Sequence, residues 1–370
     1  GNATLSFEEF GARFYDLQWN LVSLICEKKP NYSSPIYFSD PSNTFVTSRS
    51  CPSDLYSPIY EYLSFTFNVR FAYILVMGVL FIILSLIYFK LINKDSENKY
   101  LIVFLFLCPP LNFLIYQGNL DLLCLIAISS IVIWKLPYFW KVALVTFVGL
   151  LELHPLAFLV GLFFHSVLKQ DLKKILTNVF FMSISIFLIY VDNSEWSVRN
   201  WKSSVGFGYI QSSSYNMSFG VSSDYSLIFG NRIGSINAII LYIFFSLIIL
   251  YLTRKESILN NKMIGTIHQE DYFGFTFWFW VILLYENFSY RLAMFTLFFY
   301  FIYITNTKKI KILVVMSIFL TPTSLVEFSL LEYTVLIIGK ISLYSIGLLS
   351  LNLIYLEARK ILKKRNKSKI

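Results

Sequence analysis

The chain has 370 residues, of which 56% are hydrophobic and only 14% are charged, whereas a soluble domain carries roughly 25% charged residues. This composition excludes an ordinary water-soluble enzyme. The net charge of +9 does not indicate nucleic-acid binding, because Lys and Arg occur in short clusters between apolar runs rather than on one amphipathic face. We therefore expect an integral membrane protein in contact with membrane lipids, with no nucleic-acid partner.

The N-terminal region, residues 1–67, contains no apolar run long enough to span a bilayer. Its mixture of aromatic, apolar and charged residues predicts an outer-face loop with amphipathic, interfacial helices. Cys26 and Cys51 lie in this loop, where an oxidising compartment would pair them, and two unpaired thiols are the alternative. Because the first residue is Gly1, we also expect that a helix or signal preceded it.

Residues 68–358 are rich in apolar runs and predict one all-α transmembrane helical bundle of about 11 spans. The loop 192–233 is predicted to lie on the outer face, and 359–370 to form a basic cytoplasmic tail. The predicted spans are 68–90, 100–116, 119–134, 138–153, 155–168, 175–191, 234–253, 272–286, 290–305, 311–329 and 333–356.

Clusters of basic residues set the predicted orientation. Lys135 and Lys141 lie at one end of the apolar run 138–168, and Lys169, Lys173 and Lys174 lie at the other. Since basic clusters favour the cytoplasmic side, we expect the chain to cross the membrane and return, turning at His154-Pro155. The same reasoning predicts a turn at Gln117-Gly118-Asn119. Basic connections face the cytoplasm, so the C-terminus is expected to be cytoplasmic and the polar, aromatic-rich loops to face outward. The Lys-, Asn- and Ile-rich composition suits a bacterium with an AT-rich genome, and the expected location is the bacterial inner membrane.

Several signatures of soluble enzymes are missing from the sequence. It has no Gly-rich phosphate loop, no nucleophile elbow, no Asp-x-Asp and no Cys or His pair at metal-ligand spacing. A reaction that depends on a nucleotide sugar is therefore disfavoured. The sequence demands neither a metal nor another cofactor.

Asp16 is the candidate catalytic residue, because aromatic side chains surround it in the predicted outer loop. A partly shielded carboxylate is suited to act as a general base on a sugar hydroxyl. A solvated Asp or a helix cap is the alternative reading of Asp16, and Glu8, Glu9, Asp40 and Asp54 compete with it for the role of base.

Polar residues at the predicted outer turns are candidates for binding the sugar or the acceptor, since burying them costs free energy unless they have a partner or a task. For the turn residues the alternative is helix capping, and for the histidine it is a structural role beside proline. The candidates are Gln117, Asn119, Asp121, His154 and Tyr290.

Arg291 and Arg232 begin apolar segments at the predicted outer interface. A guanidinium there is suited to hold a lipid phosphate by paired hydrogen bonds. Snorkelling toward ordinary lipid headgroups is the alternative reading of both residues.

Taken in chain order, several short segments resemble motifs of the GT-C membrane glycosyltransferases of family 87 (the DUF2029 type), which use polyprenyl-phosphate sugars. The resemblance extends over nearly the whole chain. It departs from the family pattern at the transposed Gln117-Gly118 and at Glu152, where the family has Lys. The segments are Asp16–Trp19, Pro30–Tyr32, Ser53–Tyr60, Tyr116–Asn119, His154–Leu156, Tyr225–Leu227 with Arg232, and Asn287–Leu292.

The resemblance implies a GT-C fold and an inverting transfer of one sugar from a polyprenyl-phosphate donor to a lipid- or glycan-linked acceptor. Asp16 would be the base, and Arg291 with Arg232 would hold the donor phosphate. Two other classes stay open: a polysaccharide polymerase or O-antigen ligase, in which outer Arg residues dominate, and a transporter or flippase for a lipid-linked glycan, which predicts inverted repeats and mid-membrane charges.

Overall fold

The computed structural model describes the parts of the chain that form its helical bundle. Within them the fold is all-α apart from one two-residue antiparallel pair, β1 (Ser218–Phe219) with β2 (Asn287–Phe288), in which Ser218 lies opposite Phe288. The described residues are 69–94, 99–117, 121–152, 154–191, 218–219, 240, 243–244, 247, 269–284, 287–294, 296, 308–320 and 330–367.

The α-helices follow most of the predicted apolar runs, while the predicted outer-face regions 1–67 and 192–233 and the predicted span 234–253 lie entirely or almost entirely outside the described residues. A 3₁₀ helix, Ser289–Met294, follows β2 at the start of the run predicted as 290–305. Among the described residues, no helix combines the length and the apolarity that crossing a bilayer requires. The α-helices are α1 Val69–Lys94, α2 Lys99–Phe106, α3 Pro109–Gln117, α4 Asp121–Trp134, α5 Tyr138–Leu151, α6 Leu156–Lys169, α7 Leu172–Val191, α8 Gln269–Leu284, α9 Lys308–Leu320 and α10 Leu330–Lys367.

The apolar run 100–116 was predicted as one span, but it forms two helices, α2 and α3, separated at Leu107 and Cys108. The break comes directly before Pro109 and Pro110. Proline has no backbone N–H and clashes with the preceding turn in a helix interior, whereas the first turn of a helix tolerates it. The chain therefore ends one helix and starts another at this point.

Helix α10 continues through the basic segment that was predicted as a separate tail. It ends at Lys367, whereas the predicted tail begins at 359. Residues 357–365 are Glu, Ala, Ile, Leu, Arg and Lys, with no Gly, Pro or Asn, so nothing before Asn366 favours ending the helix.

Helices α6 and α8 pack together more extensively than any other described pair. A Cβ atom added to Gly161 on α6 would lie 2.6 Å from Cα of Gly274 and 2.8 Å from the carbonyl oxygen of Phe273 on α8. The two glycines thus let the helix backbones approach each other more closely than any side chain would permit. Trp278 and Phe279, one turn further along α8, are fully buried in the core.

Helices α5 and α6 form an antiparallel hairpin. Tyr138, at the start of α5, shares a 2.9 Å hydrogen bond with Ser166 near the end of α6. The connecting turn at 152–155 is therefore at the opposite end of the pair, where the sequence predicts it. This arrangement gives the bundle two ends, one at the 152–155 turn and the other near Tyr138.

Candidate polar cluster at one end of the bundle

Asp121 is the first residue of α4 and its side chain is fully buried. A carboxylate in the first turn of a helix is stabilised by the helix dipole and the exposed amide groups there. Arg291, from the 3₁₀ helix, donates from Nε to Oδ2 of Asp121 at 2.7 Å. This charge-assisted hydrogen bond joins two stretches that are distant in sequence.

Arg291 also lies near a second carboxylate. Its Nη2 atom is 3.6 Å from Oε2 of Glu152, which follows the last residue of α5. Both side chains are about one-fifth exposed, so water screens this pair more than it screens Asp121. The guanidinium consequently sits between two carboxylates from different helices.

His154 approaches Asp121 from the turn between α5 and α6. This residue lies outside the predicted spans 138–153 and 155–168. Its Nε2 atom lies 3.5 Å from Oδ1 of Asp121, and its ring stacks on Trp278 with 5.9 Å between centroids and 10° between planes. Burial is the main cause that lowers the pKa of His154 to about 4; the charge of Asp121 opposes this shift and that of Arg291 adds to it. The imidazole is therefore neutral at pH 7.

Cys124 lies one helical turn after Asp121 on α4 and is fully buried. Its sulfur, one carboxylate oxygen of Asp121 and one ring nitrogen of His154 all lie within 4.8 Å of one another. We call the five residues Asp121, Cys124, Glu152, His154 and Arg291 the α4–α5 end cluster.

A second buried ionic cluster lies near the opposite end of the bundle. Lys141 on α5 is 2.9 Å from Glu270 and 2.6 Å from Asp271, both in the first turn of α8. Lys174 on α7 also bonds Glu270. The lysines were predicted as topology signals, but their acidic partners were not predicted, because pairs this distant in sequence are set by helix packing.

Three of the eight predicted site residues meet in the α4–α5 end cluster: Asp121, His154 and Arg291. Gln117 is the last residue of α3, and Tyr290 lies in the 3₁₀ helix that packs against α3, so their backbones are close to the cluster. Asp16, Asn119 and Arg232 lie outside the described residues, as do Cys26 and Cys51.

Sequence reasoning missed Cys124 as a member of the cluster. The signal was present, because Asp121 and Cys124 are three residues apart and face the same side of a helix. The spacing of Cys and His residues along the chain does not reveal the group of Asp121, Cys124 and His154, because His154 lies on another segment. Glu152 was recognised only as a departure from the family pattern, and its contact with Arg291 was not predicted.

No protein-family model, curated protein or solved structure is similar enough to this chain to count as a match. The resemblance to family 87 thus stays a prediction from the motifs.

Proposed function

We propose that this chain is an integral membrane glycosyltransferase of GT-C type, which transfers one sugar from a polyprenyl-phosphate donor to a lipid- or glycan-linked acceptor with inversion. The supporting observation is the meeting of Asp121, His154 and Arg291 at one end of the bundle. They come from three separate segments that the sequence assigns to the outer face. Polar residues gathered at the end of an apolar bundle are the expected setting for such chemistry.

Outward-facing apolar side chains support a location in the membrane. Ile186 and Phe187 on α7 are 66% and 62% exposed, and Phe89 on α1 is 61% exposed. In water such surfaces favour association, whereas in a bilayer they contact lipid tails. The proposed location is the bacterial inner membrane, with membrane lipids around the bundle.

The two ends of the bundle support the proposed orientation. Lys141 and Lys174 lie at the end opposite Arg291, and basic residues favour the cytoplasmic side. The α4–α5 end cluster would then face outward, where polyprenyl-phosphate sugars are available, and the C-terminus would be cytoplasmic.

The proposed reaction is a single displacement at the anomeric carbon. The Asp16 carboxylate takes the proton of the acceptor hydroxyl, whose oxygen forms the new bond to the sugar. The bond from the anomeric carbon to the phosphate oxygen breaks, and the polyprenyl phosphate leaves with the electron pair. One displacement inverts the anomeric configuration. This step balances with the donor, the acceptor and a base, without a nucleotide.

Arg291, together with Arg232, would stabilise the charge on the departing phosphate. The hydrogen bond to Asp121 fixes the position of the Arg291 guanidinium before the donor arrives, which avoids ordering it during the reaction. The remaining predicted residues would contact the sugar or the acceptor by hydrogen bonds or ring stacking. These are Gln117, Asn119, His154 and Tyr290.

The deciding experiment incubates the purified full chain in lipid nanodiscs with a panel of labelled polyprenyl-phosphate sugars and lipid acceptors. We expect one donor to be consumed, with release of polyprenyl phosphate. Asp16→Asn should lower this rate by roughly 10²–10⁴-fold, whereas a loss of that size in Asp54→Asn alone would identify Asp54, a competing carboxylate in the same predicted loop, as the base. Failure to consume any donor would overturn the proposal.

The same assay separates the two other classes of protein. Transfer that survives Asp16→Asn but requires a lipid-linked oligosaccharide donor would favour a polymerase or ligase. Movement of an intact lipid-linked glycan across a vesicle membrane, without release of polyprenyl phosphate, would favour a flippase.

A further inference from the structure

We propose that Asp121, Cys124 and His154 bind a divalent transition-metal ion of the zinc class. One oxygen, one sulfur and one nitrogen lie within 4.8 Å of one another. Each residue supplies one ligand atom, and small side-chain rotations would bring all three to a common ion. The set is thus a compact three-ligand arrangement built from two segments of the fold.

The fold fixes the positions of the three metal-ligand residues. Asp121 and Cys124 are separated by one turn of α4, so both face the same side of that helix. His154 comes from the turn after α5, and the parallel stack on Trp278 sets the plane of its ring. Asp121 and Cys124 are fully buried, and only 11% of the His154 side chain is exposed.

The donor types suit zinc. Zinc is bound in proteins by cysteine sulfur, histidine nitrogen and carboxylate oxygen, and three protein ligands leave one position open. Hard cations such as Mg²⁺ and Ca²⁺ prefer sets made only of oxygen. A buried thiol and imidazole beside a carboxylate therefore select a transition metal.

The ring nitrogen of His154 supplies an independent observation. Its Nε2 atom is buried and makes no hydrogen bond within the described part of the chain. A buried polar atom of this kind is normally satisfied by a partner, by water or by an ion. A metal between Nε2 and the Asp121 carboxylate would satisfy it.

A hydrogen bond from outside the three-ligand set also orients the Asp121 carboxylate for a metal ion. Arg291 holds Oδ2 of Asp121, while Oδ1 lies toward His154. Metal-binding carboxylates are commonly held in this way by a hydrogen bond from an outer partner. On binding, Cys124 would release its thiol proton to water.

The test uses the full chain in detergent with Zn²⁺ or Co²⁺ as the only added probe. After desalting, elemental analysis should find one zinc ion per chain. The cobalt form should display visible d–d bands and a thiolate-to-cobalt charge-transfer band. Cys124→Ser should remove that band and weaken metal binding by more than the ~10–100-fold typical of losing an outer partner.

The chain offers matched controls. Of its four cysteines, Cys26 and Cys51 are replaced by Ser to give a background that keeps Cys108 and Cys124. Cys108 is equally buried but lies outside the three-ligand set, so Cys108→Ser in this background should keep the cobalt charge-transfer band. That result assigns the thiolate to Cys124 even where Cys124→Ser fails to fold.

A chain that retains no zinc, or a charge-transfer band that persists in Cys124→Ser or disappears in Cys108→Ser, would overturn the metal site. No sugar donor takes part in these measurements. The metal site and the transferase activity can therefore fail separately.

Discussion

Arg291 donates a hydrogen bond from Nε to Oδ2 of Asp121 at 2.7 Å, although 170 positions separate the two residues in the sequence. The carboxylate is fully buried and the guanidinium is 21% exposed. The bond fastens the 3₁₀ helix Ser289–Met294 to the start of α4. It also brings a predicted phosphate-binding residue into the same cluster as two predicted sugar- or acceptor-binding residues.

This pair should be energetically coupled. Arg291→Gln leaves a buried carboxylate without this cation and should lower the free energy of unfolding by up to about 3 kcal/mol, less than for a fully buried pair. Adding Asp121→Asn should recover part of that loss, with a coupling energy of about 0.5–3 kcal/mol. Denaturant unfolding of all four proteins in detergent measures the coupling.

Glu152→Gln is the control for that cycle. Its longer, more exposed contact with Arg291 should contribute at most about 1 kcal/mol. If the double variant instead loses the full sum of the two single losses, Asp121 and Arg291 do not stabilise each other.

Arg291 should also matter for the proposed chemistry. Arg291→Gln should lower kcat by roughly 10²–10³-fold, as expected when a donor to the developing charge of a leaving group is removed. Arg291→Lys should recover only part of the rate, because an ammonium cannot reproduce the planar, forked geometry of guanidinium. Rates are normalised to folded protein and measured with the polyprenyl-phosphate donor. A wild-type kcat in Arg291→Gln would remove this residue from the proposed site.

Substitutions in the ionic cluster around Glu270 and Asp271, at the opposite end of the bundle, should change stability but not catalysis. Lys141→Met leaves Glu270 and Asp271 beside an apolar side chain and should cost about 3–5 kcal/mol. Lys174→Met should cost less, since about one-third of the Lys174 side chain is exposed. Unfolding midpoints measure both costs. Lys141 lies eleven residues before Glu152, about 16 Å along a helix. Because this distance separates it from the α4–α5 end cluster, the rate of sugar transfer per folded molecule should not change.

Equal losses in Lys141→Met and Lys174→Met would mean that burial does not control this second cluster. A selective loss of transfer activity in Lys141→Met would instead connect the two ends of the bundle.

The close approach of α6 and α8 predicts a steric effect. Gly161→Ala forces a Cβ against backbone atoms of Phe273 and Gly274, so the helices must separate, at a cost of about 1–3 kcal/mol. Gly78→Ala on α1 is the matched control, because a Cβ there meets nothing within 4 Å. It should be neutral or stabilising by up to about 1 kcal/mol, since alanine favours a helix. Thermal unfolding in detergent distinguishes the two variants, and similar melting temperatures would contradict the close approach.

The sequence by itself determined where most helices lie and where the chain turns between α5 and α6. Long apolar runs bounded by lysines, prolines and polar residues predict helices, because the hydrogen bonds of a helix join residues four apart and need no distant partner. The division between α2 and α3 is also determined locally, by Pro109 and Pro110, but the apolar run 100–116 is long enough to be predicted as a single span.

Only the tertiary structure decided which polar side chains meet. The ion pairs of Arg291 with Asp121 and of Lys141 with Asp271, and the proximity of Cys124 to His154, join segments whose spacing along the chain carries no signal that they lie together. Helix packing fixes such contacts, because the depth and rotation of each helix depend on apolar surfaces that many residues share. A buried charge then requires a partner at that place, and the fold determines which residue supplies it.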